Sequence, residues 1–408
     1  MSAKLWNKQA LITKTIFPLV FVFFSLVPLV LSADTTCPAF LVRLAGHLYR
    51  APLIGLPLRT ADEWIQKTDQ PVQELRPLAS FPSQWKGSWF DVDKNYTLFE
   101  KWFSDNLGLR NVMIRVKNQL DYRLFHSSTR VYFGKGDQIY GRHLIDVELP
   151  STEAALDTSE KIDAVYRGVV KLSDDLKAIG ITTVFVTPMM KEYFIQDQLP
   201  FFAPRLPANS NFMRLYDRMK ASPELHFVDV YQIIKSIQPK YQIFYKQDFH
   251  WTNTSALEVA KASTDMLADL TGSATRWQHP VVTEQTPFLG SDARFAALID
   301  EREIPEQDLK KTWRDRHSFT QFDPKTTGIE FETDTLTDPK LLPAACLYGN
   351  SFSDGMLAAG LPDYFQKLTK LDRMRPLKDI PSMMAGRCKV AIVQVLDLST
   401  SLWQSIQQ

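Results

Sequence analysis

Gly180-Ile181-Thr182-Thr183-Val184-Phe185-Val186-Thr187-Pro188 decides the fold class. It is a continuous β-prone run between a glycine and a proline. Its lack of polar/apolar alternation is the pattern of a strand buried on both faces. Upstream, Ile162, Val165, Val169, Leu172 and Leu176 repeat at helical spacing and stop at Gly180, which suits a helix C-terminal cap. Downstream, a helix is expected over about Asn209 to Met219, then a strand at Phe227-Val228-Asp229-Val230, then a helix from near Thr254 to about Leu270. Ala345-Cys346-Leu347-Tyr348 and Val390-Ala391-Ile392-Val393-Gln394-Val395 are two more short apolar strands. Helices interleaved with unbroken apolar strands predict an α/β domain with a mainly parallel sheet covered on both faces.

Around this frame, residues 272–340 are polar, interrupted by prolines and weakly periodic, and read as an insertion in the α/β domain. Before it, Val131-Tyr132-Phe133-Gly134 and Gln138-Ile139-Tyr140-Gly141 read as two short strands around a turn. A single helix is expected over Leu98–Phe125, with Val112, Val116, Leu120 and Leu124 forming an apolar stripe beside Leu109 and Met113. Residues 34–95, rich in Pro and Trp, read as a linker wrapping onto the domain. The expected organisation is therefore a leader or anchor over 1–33, a linker and helical extension over 34–130, and the catalytic-type domain over 131–408.

The amino terminus sets the compartment. Lys4, Lys8 and Lys14 precede an uncharged stretch from Thr15 to Ala33. Positive charge on the leading side retains that end in the cytoplasm and sends the remainder across the membrane. Its length approaches the roughly 20 residues that span a bilayer, which favours an uncleaved anchor. Val30-Leu31-Ser32-Ala33 also offers a signal-peptide cleavage point. With 47 Lys plus Arg against 46 Asp plus Glu, the formal charge is +1, which gives no electrostatic footprint for nucleic acid. Three Cys with no CxxC exclude a disulfide scaffold and a structural zinc motif. Cys346 and Cys388 are read as buried free thiols in preference to a bridge, which an oxidising compartment would allow.

Two strand ends carry reactive side chains. In Tyr348-Gly349-Asn350-Ser351-Phe352-Ser353-Asp354, Gly349 permits a tight turn and Ser353 or Asp354 is expected to cap the next helix. Ser351 then sits where unpaired amides face outward and can stabilise an oxyanion. Taken alone, a plain capping serine explains this segment better. In Gln247-Asp248-Phe249-His250-Trp251-Thr252-Asn253, residues two apart in an extended segment share a side, so Asp248 and His250 can emerge together. A carboxylate beside an imidazole suits general-base work. A surface D-x-H, or half of a metal site, remains open; none of the other histidines pairs with His250, so no metal is expected.

Together the segments resemble the alginate O-acetyltransferase AlgJ/AlgX family, whose catalytic domain is SGNH-hydrolase-like. The resemblance starts at Phe99-Glu100-Lys101-Trp102-Phe103 and Asn118-Gln119-Leu120-Asp121-Tyr122-Arg123-Leu124-Phe125. It continues at Val131-Tyr132-Phe133-Gly134-Lys135, is clearest at Asp248-Phe249-His250-Trp251-Thr252, and returns at Gly349-Asn350-Ser351-Phe352-Ser353. It implies a three-layer α/β/α fold, with Ser351 as nucleophile, His250 as general base and Asp248 as the orienting acid. Ser351 and Asn350 are its oxyanion candidates. Because Asn350 stands where many relatives of the wider superfamily have Asp, the second donor is left open. Lys191, Tyr193, Trp251 and Asn253 are candidate substrate contacts, with a solvated Lys191 and a packed Tyr193 as the plain alternatives.

The function this implies is a periplasmic O-acetyltransferase, held at the inner membrane by residues 15–33 and acting on an exported polysaccharide. Its acetyl donor partner would be a membrane-bound O-acyltransferase. With no G-x-G-x-x-G and no phosphate-binding loop, no cofactor is expected. The rivals are an acetyl esterase using the same three residues and a non-catalytic polysaccharide-binding subunit of an export complex.

Overall fold

A computed structural model describes residues 71–74, 76–81, 92–107, 110–299 and 304–406. The stretch 15–33, and the anchor or leader expected over 1–33, lie outside them. Among the described residues no helix is long and apolar enough to cross a membrane. The chain divides into two units: Met1–Ser128 with Ala293–Glu301, and Thr129–Asp292 with Arg302–Gln408.

In the first unit the single helix expected over Leu98–Phe125 is two, Val92–Asn106 and Arg110–Phe125. The second helix also turns its apolar stripe the other way. Leu120 is 53% and Leu124 68% exposed, while Arg115, Asn118 and Gln119 are buried. The partner of that polar face explains the inversion. Arg115 donates to the Leu298 carbonyl and Asn118 to that of Ala296, and the Ile299 amide donates to the Gln119 carboxamide. Residues 297–299 form no helix or strand, so their buried polar groups need side-chain partners.

Among the described residues the second unit holds eleven strands: β1 (Val131–Phe133), β2 (Ile139–Gly141), β3 (Thr182–Val186), β4 (Phe227–Val228), β5 (Thr283–Phe288), β6 (Ile304–Leu309), β7 (Phe319–Gln321), β8 (Ile329–Thr333), β9 (Ala345–Tyr348), β10 (Leu368–Leu371) and β11 (Val390–Gln394). β1 with β2 and β5 with β6 form small antiparallel pairs. The main sheet runs β4-β3-β11-β9-β10-β8-β7. Its first five strands are parallel; β8 and β7 add an antiparallel edge, so the sheet is mixed. Two of its strands thus come from the stretch read as an insertion.

Helix Ser159–Ala178 is capped by Thr158, whose hydroxyl accepts from the Lys161 amide, and it ends at Gly180 with φ +78°. Its buried face is the one its spacing foretold: Ile162, Val165, Val169, Leu172 and Leu176. Each such side chain buried contributes about 1.5–3 kcal/mol. They join the buried residues of β3, β9 and β11 in one core.

Cys346 and Cys388 form a disulfide, Cα to Cα 5.7 Å, which corrects the free-thiol reading. β11 is the parallel neighbour of β9 and sets Ala391 opposite Cys346; Cys388 lies two residues before β11, in the turn after Gly386, and reaches Cys346 from there. Parallel pairing also brings the carboxyl ends of β3, β9 and β11 to one edge of the sheet, where open α/β sheets bind ligands.

Candidate active site

β9 ends at Tyr348 and helix Ser351–Ala358 begins three residues later. Its cap is Asn350, three residues before Ser353 and four before Asp354, the caps read from the sequence. The Asn350 Oδ1 accepts from the Phe352 amide at 3.0 Å and from Gln394 Nε2 at 3.1 Å. The Ser353 amide bonds back to the Asn350 carbonyl at 2.9 Å. Of the first three helical amides, the one left for an incoming oxyanion is that of Ser351 itself. Asn350 serves the turn through its carboxamide oxygen, and these bonds leave the two Nδ2 donors uncommitted.

The Asp248–Thr252 segment folds back on the chain before it. The Tyr245 amide bonds to the His250 carbonyl at 3.2 Å and the Thr252 amide to the Ile243 carbonyl at 3.1 Å. Thr252 then caps helix Asn253–Thr271 by accepting from the Ser255 amide. This hairpin-like fold, followed at once by a capped helix, leaves Asp248 and His250 at its turn.

The three side chains meet. His250 Nε2 lies 2.7 Å from Ser351 Oγ, and His250 Nδ1 lies 2.6 Å from Asp248 Oδ1. Asp248 Oδ1 also accepts from the His250 amide at 2.9 Å, and Oδ2 from the Ser291 amide at 2.8 Å. Burial raises the Asp248 carboxyl, but these hydrogen bonds and the imidazole outweigh it and hold it down at about 2. It is therefore a fixed carboxylate at neutral pH, which sets the imidazole tautomer with a proton on Nδ1 and a lone pair on Nε2 facing the hydroxyl. The Phe249 ring stacks on His250 at 4.0 Å, and Phe352 lies 5.0 Å from the imidazole centroid.

Two of the four expected substrate contacts, Lys191 and Trp251, are buried. Lys191 is fully buried. Its ammonium donates to the Ile139 and Asp248 carbonyls, lies 4.3 Å from the Tyr140 ring centroid and 3.9 Å from the Asp292 carboxylate. It therefore braces the backbone behind Asp248 and is not presented to a substrate. Trp251 is buried too, and its indole N–H donates to the Phe352 carbonyl at 3.0 Å, tying the His250 segment to the helix that begins at Ser351. Asn253 is engaged through its amide and carboxamide by Asp308. The Tyr193 hydroxyl is turned inward and burial pushes it well above the ordinary phenol range.

Sequence reading missed Ser291, Gly290 and Lys370. Ser291 contributes only its amide, which no side-chain pattern announces. Gly290 passes so close to the Asp248 segment that a Cβ there would lie 1.8 Å from the Gln247 carbonyl oxygen. Lys370 donates to the Gly349 carbonyl and, at 2.8 Å, to Ser353 Oγ.

Residues 150–370 match the family described as SGNH hydrolase-like domain, acetyltransferase AlgX, over more than half of the 408 residues. The chain belongs to that family. The AlgX-type match takes in Asp248, His250 and Ser351. No curated protein gives a match. Among solved structures, the chain is similar to the O-acetyltransferase domain of Pseudomonas putida AlgJ at 13% identity and TM-score 0.44, covering 68% of this chain and 98% of that one. It is similar to Bacillus cereus PatB1 at 13% and 0.44, covering 60% and 91%. Pseudomonas aeruginosa AlgX follows at 15% and 0.37, covering 69% and 64%. The family assignment rests on the sequence match alone.

Proposed function

We propose that this chain is an O-acetyltransferase that moves an acetyl group onto an exported polysaccharide through an acetyl-serine. The observation that carries this is the unbroken hydrogen-bond path from Asp248 through His250 to Ser351, with the serine at a helix N-terminus. Ser351 Oγ attacks the acetyl carbonyl as His250 Nε2 takes its proton. The negative charge that develops on the carbonyl oxygen faces the Ser351 amide. His250 returns the proton to the departing group, leaving the acetyl ester on Ser351. A sugar hydroxyl then gives its proton to His250 and attacks the ester, and Ser351 leaves with that proton. Asp248 stays ionised throughout and stabilises the imidazolium.

The acceptor class is supported by family membership, and the donor in this reading is an acetyl group handed over by a membrane-bound O-acyltransferase. A location outside the cytoplasm is supported by the Cys346–Cys388 bridge, because such bonds persist in oxidising compartments, and by the lysine-flanked stretch 15–33. The test is Ser351→Ala. Polymer acetyl content in cells, and transfer to an oligosaccharide measured against release of free acetate, should both fall to background. Unchanged polymer acetylation would refute the proposal; acetate release without transfer would make the chain an esterase.

A further inference from the structure

We propose that Lys370 is a positioning residue for Ser351: its ammonium, buried beneath the β9 turn, holds the two peptide units that precede the serine and so keeps Oγ aimed at His250. This rests on Ser351 being the nucleophile. Lys370 lies on β10, the parallel neighbour of β9, and has no solvent exposure. It donates to the Gly349 carbonyl and to Ser353 Oγ, and Ser353 Oγ donates in turn to the Asn350 carbonyl at 2.6 Å. Both carbonyls immediately before Ser351 are therefore fixed from below by a chain that starts at one nitrogen. The turn is packed closely at Gly349, where a Cβ would lie 2.3 Å from Gln394 Oε1 and 2.9 Å from Ser353 Cβ.

The strand itself has no use for a charge at this position. An apolar side chain of the same length would fill the space without the several kcal/mol that desolvating an ammonium costs. Ion pairing does not explain the lysine either, because among the described residues no carboxylate lies within salt-bridge distance of it. The charged groups that face it are Glu330 on β8, Asp354 on the helix after Ser351, and Arg373 after β10. Arg373 already bonds to both of those carboxylates. Burial pushes the Lys370 ammonium down to about 8, so its charge is lost within an accessible alkaline range. What the buried amine supplies is a donor for the Gly349 carbonyl and, through Ser353 Oγ, support for the Asn350 carbonyl beside the Ser353 amide.

The experiment compares full-length wild type with Lys370→Met, Lys370→Arg and Ser353→Ala. Ser351 is labelled with phenylmethylsulfonyl fluoride, p-nitrophenyl acetate turnover is followed from pH 6 to 10, and each variant's melting is recorded. Displacing a reacting atom by about 1 Å costs on the order of 100-fold, so Lys370→Met should label and turn over about 10–100-fold more slowly, with KM changed little. Its profile should also lack the wild-type change near pH 8, and Lys370→Arg should recover part of the rate. A folded Lys370→Met that labels at the wild-type rate with an unaltered profile overturns the proposal. Should Lys370→Met fail to fold, Ser353→Ala decides: it should label several-fold more slowly, and wild-type labelling by it overturns the proposal. If wild type is not labelled at Ser351 at all, the nucleophile reading fails instead.

Discussion

Reduction of the Cys346–Cys388 bond is the perturbation whose size follows most directly from the structure. The bond closes a loop of sequence separation 42. A chain-entropy treatment of a loop of that length gives about 13 cal/mol/K, or about 4 kcal/mol at 25 °C, of denatured-state freedom removed by the cross-link. For a unit of this size each kcal/mol shifts the melting temperature by about 2–4 °C, so removing the bond should lower it by about 8–16 °C. The assay is thermal unfolding of the purified protein with and without a phosphine reductant, beside the double variant Cys346→Ala/Cys388→Ala. The double variant should melt low in both conditions and lose its sensitivity to reductant. Alkylation of the denatured, unreduced chain should modify Cys37 alone of the three cysteines. Two observations would refute the reasoning: alkylation of Cys346 or Cys388 without reductant, or a wild-type melting temperature that reduction moves by less than about 2 °C.

Asp248→Asn should lower kcat/KM by about 10³–10⁴-fold, because a carboxamide can stabilise the wrong imidazole tautomer. Steady-state hydrolysis of an activated acetate ester measures it, and a loss below tenfold would remove Asp248 from the relay. The same residue carries a pH signature. Its carboxyl is held below the unfolded value, at about 2, so it stabilises the fold above about pH 4 and that stabilisation is lost as pH falls through 2. The amount is about 2 kcal/mol, and denaturation of Asp248→Asn between pH 5 and 2 should show an acid slope shallower by that much. Gly290→Ala should destabilise the second unit by at least about 1–3 kcal/mol and slow turnover, because the new methyl drives into the Gln247 carbonyl and pushes Asp248. A variant with wild-type melting and turnover would mean the close approach is not needed.

The parts of the fold that the sequence made legible are those where burial and apolarity coincide. β3, β9 and β11 are continuous apolar runs with both faces covered, and helix Ser159–Ala178 displays its buried face and its glycine stop directly. β10 escaped because Leu368-Thr369-Lys370-Leu371 carries two polar side chains, although all four residues are buried. Lys370 serves the turn it supports, which lies 17 to 21 residues away in sequence, and Thr369 donates to Glu332 on β8. β8 alternates buried and half-buried positions, but charged Glu330 and Glu332 on the open side made the stretch look irregular. The stripe on Arg110–Phe125 misled for the opposite reason, since periodicity reveals an amphipathic helix without saying which face meets a partner. At the site, the Asp248/His250 spacing was readable from strand geometry. The Ser291 amide, the Gly290 contact and the Lys370 donors depend on non-local packing that no spacing encodes.

The order of strands in the main sheet has a bearing on when the relay comes into being. β11 is the last strand in the chain, yet it lies in the interior, hydrogen-bonded to β3 on one side and β9 on the other. Until it docks, the sheet is two ribbons, one leading into the Asp248–His250 hairpin and the other bearing Ser351. Closing them requires contacts between residues some two hundred positions apart, the slow kind of step in folding. Sulfonyl labelling of Ser351 would thus report that insertion, because a chain in which β11 has not docked carries the same three side chains without the sheet that brings them together.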